Sequence, residues 1–125
     1  MSGRGLLCTI ETEVIMGNKI KINLTDARPV SIDPEAWPLV AKAVDFDGQF
    51  LAQANRVWEI RVRQKGEEVI VYGWKKSEWR GEAPIYAGEI TDPEGVVGAI
   101  RSVAEEIGND DLSKAAIRDL PAEEI

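Results

Sequence analysis

Residues 56–74 read Arg-Val-Trp-Glu-Ile-Arg-Val-Arg, Gln-Lys-Gly-Glu, Glu-Val-Ile-Val-Tyr-Gly-Trp. Two runs rich in β-branched and aromatic residues, joined by a short polar stretch holding a glycine, specify a β-hairpin. Gly66 supplies the positive φ of a tight turn, and Lys65-Gly66 as the loop pair predicts a register. Val62 then opposes Val69, Ile60 opposes Val71, and Trp58 opposes Gly73 with its indole over the glycine. The reverse face pairs Arg63 with Glu68, Arg61 with Ile70, Glu59 with Tyr72 and Val57 with Trp74. The first face is wholly apolar. The second mixes aromatic, aliphatic and charged residues.

The rest of the chain follows from this hairpin. Leu6 to Met16 alternates, with Leu6, Cys8, Ile10, Val14 and Met16 on one side, and reads as a half-buried strand. After Gly17-Asn18-Lys19 a second strand runs to Leu24 with Ile20, Ile22 and Leu24 inward. A three-residue loop keeps the faces matched, with Met16 opposite Ile20 and Val14 opposite Ile22. Residues 25–34 hold two prolines and two aspartates and read as a loop, with Asp33 as a cap before Pro34. Pro38 argues against a helix from 34 onward. Asp47-Gly48 then reads as a hairpin turn between strands at 39–46 and 49–54. Lys75 to Pro84 is a polar loop carrying Trp79 beside Arg80, and 85–90 is a further strand.

Two helices end the chain. Asp92-Pro93-Glu94 is a capping carboxylate, a first-position proline and a first-turn acid. Val96, Ile100, Val103 and Ile107 recur at helical spacing, and Gly108 stops the helix. Asp110 or Asp111 starts a second helix with Leu112, Ala115, Ala116 and Leu120 inward, and Pro121 ends it. The expected fold is a single α+β domain over 1–125, an antiparallel meander-type sheet of about seven strands followed by two C-terminal α-helices.

Function is bounded mostly by exclusion. The chain has no histidine, which removes the commonest general base, the commonest metal ligand and the His-dependent nucleophile arrangements. A phosphate-cradling glycine loop is also missing. Cys8 is the single cysteine, so no internal disulfide forms, and as an inward residue it reads as an inert thiol. The pairs Asp45/Asp47 and Glu11/Glu13 suit acid–base work or a hard cation, but a turn and a solvated strand face account for them. The expectation is a non-enzyme with no cofactor and no metal. The N-terminus lacks a signal-peptide pattern and no run is long enough to span a membrane, so a cytoplasmic protein is expected.

Charge is uneven. Residues 1–80 carry 12 Lys+Arg and 11 Asp+Glu, whereas residues 81–125 carry 3 and 11, and the whole chain is at −7. That balance opposes direct nucleic-acid binding. It suits either a solubilising surface or a surface that attracts a basic partner. The four tryptophans are the more informative residues. Trp58 reads as core and Trp37 as a plug at one end of it. Arg61, Tyr72 and Trp74 share the second hairpin face, and Trp79 and Arg80 share the loop. Tryptophan, tyrosine and arginine dominate protein interfaces, so these five residues are the candidate partner-binding set. If the helices cover the second face, its three members are core instead.

Gln53-Ala54-Asn55-Arg56, Val62-Arg63-Gln64, Val71-Tyr72-Gly73 and the terminal Asp119-Leu120-Pro121-Ala122-Glu123-Glu124 together resemble a group of short bacterial proteins that travel with plasmids, phages and other mobile elements. The group has no assigned activity, so the resemblance implies only an accessory role and carries no site residue. The expected function is a non-enzymatic protein-binding accessory protein with a protein partner, which the acidic C-terminal third would suit if that partner is basic. The alternatives are an acidic inhibitor of a host nucleic-acid-directed defence complex (an anti-CRISPR or anti-restriction DNA mimic), a self-associating structural homodimer, and a small enzyme working with carboxylates alone.

Overall fold

The computed structural model describes residues 14–16 (backbone only), 18–47, 56–79 and 81–122. The elements run β1 (Val14–Met16), β2 (Lys19–Ile22), β3 (Val30–Ile32), β4 (Leu39–Asp47), β5 (Arg56–Lys65), β6 (Glu68–Ser77) and β7 (Ile85–Thr91). A 3-10 turn at Pro93–Gly95 leads into α1 (Val96–Ile107), and α2 (Asp110–Asp119) follows. The expected α+β class with antiparallel strands and two C-terminal helices is what the molecule adopts. The single meander is not. The strands form two sheets, ordered β1-β2-β3 and β4-β5-β6-β7.

The split has a physical cause. The four-stranded sheet is apolar on both faces, and two helices cover only one. On that first face Ala41, Ala43, Ile60, Val62, Val69, Val71 and Ala87 pack with Ala99, Ile100, Val103, Ala104 and Ile107 of α1 and with Leu112 and Ala116 of α2. On the second face Ile70, Tyr72 and Trp74 pack with Ile20, Ile22 and Ile32 of the small sheet, and Leu24, Val30 and Trp37 close the edge. The molecule is thus three layers, helices on a sheet on a smaller sheet. The strand at Val30–Ile32 lies inside the segment expected to be loop; three residues after Pro29 give too short an alternation to read. The expected strand at 49–54, most of the one at 6–16, and Cys8, Glu11 and Glu13 lie outside the described residues.

Two registers differ from expectation. In the central hairpin Lys65 pairs with Glu68, so Gly66-Glu67 is the loop, with Gly66 at φ 61°. Val62 therefore opposes Val71, Ile60 opposes Gly73 and Trp58 opposes Lys75. This is a slip of two residues, and side chains alternate with period two, so every residue keeps its expected face. Gly73 is not covered by Trp58. Its missing side chain admits the Glu59 carbonyl oxygen and the Val103 methyl of α1. The Trp58 indole instead donates a hydrogen bond to the Ile107 carbonyl at the end of α1, 3.1 Å away. In the first hairpin Met16 pairs with Lys19 and Ile15 with Ile20, the shorter loop rather than the three-residue one.

The helix ends behave largely as the sequence implies. Asp92 Oδ1 accepts from the Gly95 amide at 2.9 Å, and Gly108 closes α1 in the left-handed region at φ 82°. The cap of α2 is Asn109 rather than an aspartate. Its Oδ1 accepts from the Leu112 amide, and Asp110 and Asp111 fill the first turn, where acids favour the helix dipole. Ser113 is inward and Ala115 outward, the reverse of the expected packing side at that position.

Candidate functional site

The five candidate residues separate into four groups. Tyr72 and Trp74 are each only 4% exposed, sealed under the small sheet, so these two are core rather than contact surface. The sequence left this choice open on whether the helices lay on the second face. They do not, but another sheet does. Arg61 is half-buried beside them. Trp79 is 52% exposed on the β6–β7 loop. Arg80 lies outside the described residues.

The second face is more ionic than a core usually is. Glu59 Oε2 accepts from Arg61 Nε, and the two side chains are only 6% and 12% exposed. Lys42 Nζ lies 3.9 Å from the same carboxylate. The Arg61 guanidinium sits 5.5 Å from the Trp74 ring centroid and Lys76 Nζ sits 5.6 Å from it, both within cation–π range. Arg63 Nε donates to Tyr72 Oη at 3.0 Å and Arg63 Nη1 donates to the Trp37 carbonyl at 3.0 Å. Trp37 is thereby tied to β5, which fits its expected place at one end of the core. These contacts join β4, β5 and β6 across the second face of the large sheet and tie the β3–β4 connection to it.

The Trp79 loop is fixed by a second ion cluster at the far end of the hairpin. Arg56 binds Glu82 through two bonds, Nη2 to Oε2 at 2.6 Å and Nε to Oε1 at 3.2 Å, the fork-to-carboxylate geometry of a strong pair. Arg56 Nη1 also reaches Asp47 Oδ2 at 3.2 Å, and Lys75 Nζ lies 3.9 Å from Glu82. Hydrogen bonds from Arg56 and then from Ser77 hold the Glu82 carboxyl well below its usual range, at about 2. Ser77 Oγ accepts from the Trp79 amide at 3.0 Å, and the Trp79 carbonyl accepts from the Glu82 amide at 3.2 Å. The loop is thus clamped on both sides of the indole.

The candidate acid pair on β4 is absorbed by structure. Asp47 serves Arg56, and Asp45 accepts from its own neighbour's amide at Phe46 and from the Asn109 side chain at 3.0 Å. Among the described residues no three Asp, Glu, Cys or His side chains are grouped to hold a metal ion.

An apolar groove was not foreseen. It has a volume of about 740 Å³ and lies between the starts of the 3-10 turn and α1, the end of α2 and the sheet floor at Val62 and Val69. No sequence signal marks it, because it is assembled from six separate elements. No helix among the described residues is long and apolar enough to cross a membrane. Compared with family models, with curated proteins and with solved structures, the chain matches none.

Proposed function

We propose that the protein is a non-enzymatic protein-binding accessory protein that engages its partner through the loop carrying Trp79. The observation behind this reading is an indole more than half exposed on a loop held by the Arg56–Glu82 pair and by Ser77. An exposed large aromatic on a pre-ordered loop loses little freedom on binding, and tryptophan is the side chain most enriched at energetic centres of interfaces. Arg80 follows it in the chain and is kept as a candidate on the sequence alone, whereas the buried Tyr72 and Trp74 are not. A role within a mobile element rests on the resemblance in the terminal and hairpin motifs alone.

A second reading, an acidic inhibitor directed at a basic partner, draws on the helical layer. Asp92, Glu94, Glu105, Glu106, Asp110, Asp111 and Asp119 are exposed there against Arg101, Lys114 and Arg118. The cations interrupt the acids, and Lys114 lies 3.9 Å from Asp111, so a continuous phosphate-like row is not what this surface offers. The two readings part in one experiment. Tagged wild-type protein and its Trp79→Ala variant are used to capture partners from a bacterial lysate at low and high salt. Loss of a specific partner in the variant by about tenfold or more, a hot-spot effect, supports the loop. A partner retained by the variant but lost in high salt supports the acidic layer, since screening weakens exposed charge pairs. A partner retained in both conditions sinks both readings.

A further inference from the structure

The groove lies at the end of the central hairpin opposite Trp79. From Val69 to Ser77 along β6 is about 26 Å at ordinary strand rise, so the two surfaces are separate. We propose that this groove docks a short protein segment whose apolar side chains are flanked by lysine or arginine. Three observations carry this. First, the helix-side core is not closed here. The half-buried members Val40, Val96, Ile117 and Leu120, which pack against that core without being covered, all line the groove. Its volume of about 740 Å³ is within the range of sites that take a ligand or a cluster of anchoring side chains.

Second, the polar groups on its wall are acceptors. Gln64 donates through Nε2 to the Gly66 carbonyl at 2.9 Å, which leaves Oε1 as the acceptor end of its amide. Glu94, exposed in the 3-10 turn, is the one charged residue of the lining among the described residues. Third, the described residues next in sequence to the lining add exposed Glu68, Asp92 and Asp119 against exposed Lys65 and Arg118, so that with Glu94 the rim carries an excess of acid. An apolar floor with acceptors and negative charge at its rim complements apolar anchors bearing cationic donors. It opposes an acidic or donor-poor segment, which would leave these acceptors buried without partners.

The test uses the full chain labelled with nitrogen-15 and three synthetic peptides of equal length. One alternates leucine clusters with lysine, one replaces lysine by glutamate, and one replaces leucine by serine while keeping the lysines. The leucine–lysine peptide is expected to shift the amide signals of Val62, Val69, Val97 and Leu120. It should bind about tenfold or more tightly than either control, one decade being the scale of a single lost anchor or charge pair. Glu94→Lys should weaken it several-fold without changing the fold, and Leu120→Ser should weaken it further. Trp79→Ala should leave it unchanged. The proposal is overturned if the serine–lysine peptide binds equally well, which would mean charge alone, or if the glutamate peptide does. Signals that move only elsewhere overturn it too. So does a free protein that sediments as a dimer with the same amides perturbed, because the groove would then belong to a second copy.

Discussion

The Glu82 side chain shows how much one residue settles here. Its carboxyl is held down to about 2 by Arg56 and Ser77, against an ordinary value near 4.5. A carboxyl depressed in the folded state adds stability that is fully present above its unfolded pKa and fades as pH falls through the folded one. Comparing wild type with Glu82→Gln by denaturant titration should therefore give a constant difference at pH 6–8. That difference should shrink between about pH 4.5 and pH 2. A difference independent of pH would mean that the clamp is packing rather than charge. Arg56 stays cationic throughout and adds no pH term of its own. Gly73 makes the complementary point about space. A methyl there would stand 2.5 Å from the Glu59 carbonyl oxygen and 3.2 Å from the Val103 methyl. Backbone on one side and α1 on the other leave no room to yield, so Gly73→Ala should cost about 1–3 kcal/mol in urea unfolding. If the variant is neutral, the close approach of α1 to β6 is wrong.

At the scale of elements, what was legible in the sequence is what depends on period rather than on register. The central hairpin slipped by two residues without moving any side chain to the wrong face, so the core list survived an incorrect loop. The helix stripe through Val96, Ile100, Val103 and Ile107 survived for the same reason. Strand β3 was not legible, because Val-Ser-Ile between Pro29 and Pro34 is too short to show a period. Losing it hid the second sheet, and with it the burial of Tyr72 and Trp74. The surface status of those residues is decided by what packs on them, and no local pattern states that. The Trp79 stretch was legible as an exposed loop because polar residues around an indole mark a loop wherever it packs. The groove had no such local mark. Helix α2 offers a test of how elements are joined. Asn109 caps it and also reaches across to Asp45 on β4. Asn109→Ala should cost about 1 kcal/mol, the usual loss of a cap. Asn109→Asp keeps an equally good capping group but sets a carboxylate against the Asp45 oxygen. Thermal melts at neutral pH should therefore place the aspartate variant no higher than the alanine one. An aspartate variant as stable as wild type would show that the contact with β4 contributes nothing.

The three layers share one middle sheet, and this decides how the whole molecule unfolds. Along β6 the side chains alternate between cores: Val69 and Val71 face the helices, while Ile70, Tyr72 and Trp74 face the small sheet. Neither core can open without stripping one side of the same strands. Neither edge of the sheet is left bare in the middle, either. The Asp119 carboxylate accepts from the Lys42 amide of β4 at 2.8 Å, and Thr25 exchanges two bonds with Gly88 of β7, at 2.9 and 3.0 Å. Gly88 makes that crossing possible, since a side chain there would meet the Asn23 carbonyl oxygen. The small sheet is therefore fastened to the large one by its core, by Arg63 through Trp37, and at Gly88. Removing apolar volume from the small core should then be felt in the helices. Ile22→Ala, at a fully buried position, should cost about 2–5 kcal/mol. Its unfolding followed by tryptophan emission in a Trp58→Phe, Trp79→Phe background, which leaves Trp37 and Trp74 as the reporters, should coincide with unfolding followed by far-ultraviolet dichroism, which reports α1 and α2. If the emission change precedes the loss of helix, the small sheet is a separable lid over Tyr72 and Trp74. Those two residues would then return as candidates for contact with a partner.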